Sequence, residues 1–142
     1  MGTLARLARQ LVDVVNRPRR RRGPATGRPQ IDYAPVSDGD ADPGEVVWTW
    51  VPYEEDPKRG KDRPVLVIGR LGTDVAALRL TSKPHDDRHH VAIGSGPWDG
   101  EGRPSWVKLD GLLQLDPESI RREGAVIARD RFDKVVAAFS NY

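Results

Sequence analysis

The stretch GEVVWTWVPYEEDPKRGKDRPVLVIGR, residues 44–70, decides the fold. Its first half, Val46 to Val51, is β-branched and aromatic, which suits a pleated, half-buried strand. Pro52 lacks an N–H for the ladder and ends that run. Residues 53–63 read as a charged loop punctuated by Pro57 and Gly60. Val65-Leu66-Val67-Ile68 is a continuous apolar run of strand length, so it predicts a strand buried on both faces.

Downstream, Gly72-Thr73-Asp74 is a turn, and Val75 to Thr81 is a third strand, so the pair predicts an antiparallel hairpin. Residues 82–90, SKPHDDRHH, form a second polar loop. Shorter strands are expected at 90–93, 105–109, 112–115 and 125–128. Asp116-Pro117-Glu118 is a helix start, with Asp as cap and Pro at the first position; that helix should stop before Gly124. Asp130 is expected to cap a last helix whose Phe132, Val135, Val136 and Phe139 form one apolar face. Many short strands with few helices predict a mainly β domain, a small barrel with the last helix packed on it.

Upstream, Leu4, Leu7, Leu11, Val14 and Val15 line one face of an amphipathic helix over residues 3–16, stopped by Pro18. Residues 17–43 carry few large apolar side chains beyond Ile31, Tyr33 and Val36, and read as a flexible linker. The expected division is therefore a basic arm over 1–43 and a folded domain over 44–142.

Charge follows the same division. The whole chain is +2, but residues 1–30 hold eight Arg against Asp13, a net of +7, and the remainder is −5. Such an arm suits contact with nucleic acid or an anionic membrane surface. There is no cysteine, hence no disulfide framework and no thiolate metal site. No apolar run approaches a membrane span or a signal-peptide core, and the expected compartment is the cytoplasm.

With these elements in order, residues 44–140 resemble the PemK/MazF toxins of bacterial toxin–antitoxin systems. The resemblance rests on Gly44-Glu45, the aromatic strand, the Pro- and Gly-containing charged loop, Arg63-Pro64 and the apolar strand behind it. It continues through Leu80-Thr81-Ser82-Lys83-Pro84 and WVKLDGLLQLDPESIRREG, residues 106–124. It implies an SH3-like barrel carrying a short helix and a C-terminal helix, and a homodimer. It further implies cleavage of single-stranded RNA without metal or other cofactor, and neutralisation by a cognate antitoxin. Arg63 and Thr81 match the family's catalytic Arg and Thr.

Metal-free RNA cleavage removes the 2′-hydroxyl proton, protonates the leaving 5′-oxygen and balances the phosphorane charge, giving a 2′,3′-cyclic phosphate. The Arg63 guanidinium can grip the scissile phosphate with two parallel bonds. An arginine's pKa above about 12 argues for charge stabilisation rather than proton transfer. Thr81 can donate its hydroxyl to a phosphate oxygen, and Ser82 is the nearest substitute. His85 is a further candidate proton carrier. Lys58, Arg59, Lys61, Arg79 and Lys83 are candidate backbone contacts, and Trp50 a candidate base-stacking platform. Of Trp48 and Trp50 one is expected in the core, since strand neighbours face opposite ways. His85, Asp86, Asp87, His89 and His90 cluster in sequence, yet they meet no signature spacing, and no metal is assigned.

Two rival readings stand beside this one. A non-catalytic module would bind DNA or RNA chiefly through the +7 arm. The arm alone, with its leucines beside arginines, would lie on an anionic membrane surface.

Overall fold

The computed structural model describes residues 29–31 and 41–142. The amphipathic helix expected over 3–16, and most of the linker, lie outside these residues. Among the described residues, eight strands and one α-helix follow in chain order: β1 Gln30–Ile31, β2 Glu45–Pro52, β3 Gly60–Leu71, β4 Asp74–Thr81, β5 His90–Gly94, β6 Ser105–Lys108, β7 Leu113–Leu115, β8 Arg121–Val126 and α1 Arg129–Ser140. The result is the expected mainly β architecture, one curled antiparallel sheet with a C-terminal helix. Neighbouring strands run β5-β6-β4-β3-β2-β8, with β1 bonded to β3 and β7 to β4.

The deciding stretch folds as read, with one extension. β2 pairs with β3 from Val46↔Leu66 to Pro52↔Gly60. Gly60 to Arg63 therefore belong to the strand, and the loop is shorter than expected. The register explains the difference, because the ladder continues through charged residues whose local composition favours a loop. The β3–β4 hairpin closes at Leu71↔Asp74 through Gly72-Thr73, and Gly72 takes the positive φ of 64° that such a turn favours.

Burial confirms that Val65–Ile68 serves both faces. Leu66 and Ile68 join Val46, Ala76, Leu78 and Leu80 on one face, against Phe132, Val135 and Phe139 of α1. Val65 and Val67 join Val47, Val51, Val75, Ala77, Leu113 and Leu115 on the other. Continuous apolar runs arise where both faces are covered.

Three expectations are corrected. The helix after Asp116 is a single 3-10 turn, Pro117–Ser119, although Asp116 Oδ1 does accept from the Glu118 N–H at 3.0 Å. The chain then returns to the sheet as β8, earlier than the strand expected at 125–128, because Trp48↔Arg121 and Glu45↔Val126 main-chain pairing outweighs local helix signals. Asp130 does not cap α1; the cap position is Ala128, and Asp130 sits in the first turn, where its charge still suits the helix dipole. In addition, Gln30–Ile31, inside the expected linker, is a strand on β3, paired as Gln30↔Arg70 and Ile31↔Gly69.

Candidate active site

The hairpin that builds the core also builds the site. Pairing between β3 and β4 ends at Val65↔Arg79. Beyond that pair the strands wall a cleft of about 340 Å³, lined by Lys61, Asp62, Arg63 and Pro64 on one side and Leu80, Thr81 and Ser82 on the other. The same register, carried two residues further, would set Arg63 opposite Thr81. Trp48 also lines the cleft, and Trp98, Asp99, Gly100, Glu101, Arg103 and Ser105 supply a further wall.

Thr81 is oriented by its own loop. Its Oγ1 accepts the Lys83 N–H at 3.1 Å, so the hydroxyl proton is free to point elsewhere. Arg103 is held by Asp99 at 3.0 Å and Glu101 at 3.6 Å, and Asp62 is engaged by Arg121 at 3.0 Å. Among the described residues Lys61 and Arg63 form no ion pair, so their charges remain available to an anion.

Behind Arg63 lies a mixed charge cluster. Glu54 pairs with Lys108. Burial alone would raise the Glu54 carboxyl, but the Lys108 hydrogen bond and the charges of Lys108, Arg79 and Arg63 outweigh it and hold it below its ordinary value. Arg79 is 3% exposed, with Nη1 donating to the Gly111 carbonyl at 3.1 Å. Burial lowers its guanidinium, opposed by Glu54.

The structure thus brings together Arg63, Thr81, Ser82 and Lys61. It separates the others from the cleft. Lys58 and Arg59 are exposed on the β2–β3 loop, and Lys83 is exposed beyond the lining. Arg79 is buried because strand alternation turns it inward with Val75 and Ala77. Trp50 is 38% exposed but outside the lining, whereas Trp48 lies within it. His85 stacks on His90, with ring centroids 3.6 Å apart, and does not line the cleft. Asp62, Asp99, Arg103 and Ser105 were not legible as cleft residues. The one signal was the Gly- and Pro-rich composition of residues 96–104, which marks a loop free to fold over a groove.

No helix among the described residues is long and apolar enough to cross a membrane. No curated protein sequence matches the chain. Among solved structures, an endoribonuclease from Mycobacterial species, in complex with its cognate antitoxin, aligns with a TM-score of 0.53 at 20% identity, covering 70% of this chain and 90% of that one. MazF from Deinococcus radiodurans aligns at 0.53 and 21% identity, covering 73% and 96%. A MazE–MazF structure from the same organism aligns at 0.50 and 22% identity, covering 78% and 96%. At these identities the likeness establishes the fold. The family described as PemK-like, MazF-like toxin of type II toxin–antitoxin system matches residues 42–142, a span that holds the whole cleft. The chain belongs to that family.

Proposed function

We propose that the chain is an endoribonuclease toxin that cleaves single-stranded RNA without a metal ion, leaving a 2′,3′-cyclic phosphate. The observation that carries this reading is the placement of Arg63 and Thr81 in one cleft of a PemK/MazF-family member. The scissile phosphate sits between the two walls. Arg63 neutralises the non-bridging oxygens as charge develops there, and Thr81 donates its hydroxyl to the same group. Solvent water takes the proton of the 2′-hydroxyl as its oxygen attacks phosphorus in line, and a second water protonates the 5′-oxygen as its bond to phosphorus breaks. Lys61 meets a neighbouring phosphate, Ser82 supports Thr81, and Trp48 offers a ring edge to a base. The cleft carboxylates Asp62 and Asp99 are each committed to an arginine, which leaves them poor ligands for a catalytic metal.

The partners follow from the same reading: single-stranded RNA, a second copy of the chain, and a cognate antitoxin that competes for the cleft. The working unit is the domain over 44–142 together with β1 and residues 41–43, in the cytoplasm, with the basic residues upstream as an accessory arm. The test uses single-stranded RNA and purified chain in EDTA. Wild type should cleave. Arg63→Ala should lose roughly 10²–10³-fold in rate while keeping its circular dichroism spectrum. Equal rates in the two proteins would remove Arg63 from the mechanism.

A second reading is favoured by charge: the cleft lining is balanced, and the net +7 lies in residues 1–30. On that reading the chain binds DNA or RNA without cutting it. It predicts steeply salt-dependent binding that disappears on deleting residues 1–28, with no cleaved product.

A further inference from the structure

The loop between β4 and β5 gathers side chains that the cleft does not use. His85, Asp87 and His90 each offer one ligand atom, and these three atoms lie within 4.8 Å of one another. Both imidazoles turn Nδ1 toward the same carboxylate, His90 at 2.7 Å and His85 at 3.6 Å. The rings are nearly parallel, 5° apart, with centroids separated by 3.6 Å. A neutral ring has a lone pair to give.

We propose that His85, Asp87 and His90 form a binding site for one divalent transition-metal ion such as zinc, held by two imidazole nitrogens and one carboxylate oxygen. Three observations build it. His90 stands on β5, opposite Lys108, and its side chain is only 10% exposed, so its ring is held by the sheet. The Asp87 carboxylate is aimed by the His89 N–H, which donates to Oδ1 at 2.8 Å. His85 lies on the loop, with its side chain 29% exposed. Zinc–ligand bonds of about 2.0–2.2 Å set ligand atoms roughly 3.4 Å apart, so side-chain rotation of His85 suffices to complete the set. In the bound state each ring is neutral, with its single proton on Nε2, and gives its Nδ1 lone pair to the ion. Water fills the fourth position. Imidazole ligands select zinc-like ions over magnesium or calcium.

His89 is excluded by the same geometry. Its Nδ1 is bonded to the Tyr142 hydroxyl, and its ring meets the Tyr142 ring edge-on at 5.5 Å. The site lies outside the cleft lining and does not depend on the nuclease reading.

The test is equilibrium dialysis of the tag-free full chain, stripped with chelator, against zinc ions, with bound metal measured by mass spectrometry. One zinc per chain is expected. His85→Ala and His90→Ala should each weaken binding at least tenfold, His89→Ala should leave it unchanged, and magnesium should not bind. His85→Ala, on the loop, keeps the test open should His90→Ala fail to fold. Zinc binding that survives His85→Ala, or that falls as far in His89→Ala, would overturn the proposal, as would no stoichiometric zinc at all.

Discussion

Trp98 donates its indole N–H to the Ser105 hydroxyl oxygen at 3.0 Å, and both residues are buried. This bond joins the two ends of the Gly- and Pro-rich segment and makes it a fixed wall of the cleft. Ser105→Ala leaves the indole N–H buried and unpaired. It should cost about 1–3 kcal/mol, read as a lowered urea midpoint with an unchanged slope.

The same indole limits what can stand beneath it. A Cβ on Gly96 would lie 2.1 Å from Trp98 Cζ3 and 2.3 Å from Cη2. Gly96→Ala should therefore destabilise by roughly 1–3 kcal/mol, since the buried ring must move. At Gly100 a Cβ would meet nothing within 4 Å, and Gly100→Ala should stay within about 0.5 kcal/mol. Equal losses in the two variants, measured by urea unfolding, would contradict this account of the wall.

On the opposite wall, the Thr81 hydroxyl accepts from the Lys83 N–H, and on the proposed reading it gives its own proton to the scissile phosphate. Thr81→Ser preserves both and should retain most RNA cleavage. Thr81→Val keeps the shape and removes both, and should slow cleavage by about 10²-fold. Single-turnover rates in EDTA decide the matter; a Val variant as fast as the Ser variant would show that the hydroxyl is dispensable.

Glu54 gives the fold a small acid dependence. Its carboxyl is lowered in the folded chain from an ordinary value of 4.5. A lowered folded value contributes stability above the unfolded value, and that contribution is lost as pH falls through the folded one. Stability should therefore decline below about pH 5, and Glu54→Gln should flatten part of that decline. The side chain is 48% exposed, so solvent screens the pair and the effect is modest. Unfolding midpoints of both proteins between pH 3 and 7 provide the comparison.

Truncation should reveal where the folded unit begins. Ile31 packs on the core, Ala41 is buried, and Arg70 donates to Asp42 at 3.0 Å. A chain starting at Pro29 keeps these contacts, and one starting at Gly44 loses them. The shorter chain should be less stable by about 1–3 kcal/mol, visible as a lower thermal midpoint. Identical midpoints would mean that β1 adds nothing to the fold.

Much of this architecture was legible in the residues. The apolar run Val65–Ile68 announced its double burial because alternate side chains had no polar option. Arg63 and Thr81 were legible through the ordered motifs around them, and both line the cleft. What escaped was set by distant pairing. The β3 strand reaches back to Gly60 only because β2 lies beside it. Arg79 reads as a surface cation until alternation buries it beneath Gly111. Ile31 sits among linker-like neighbours, and only the β3 backbone opposite it makes a strand there.

That last pairing bears on how the chain behaves at high concentration. Along one edge β3 is bonded to β2 from Gly60 to Leu66, Gly44 donates its N–H to the Val67 carbonyl at 2.9 Å, and β1 takes over at Gly69 and Arg70. The strand that carries the apolar run Val65–Ile68 thus has backbone partners along this edge, and open rows of backbone groups are what seed fibrils and aggregates. Two residues upstream of the barrel serve as a shield against misassembly, a duty separate from anything the arm does for binding.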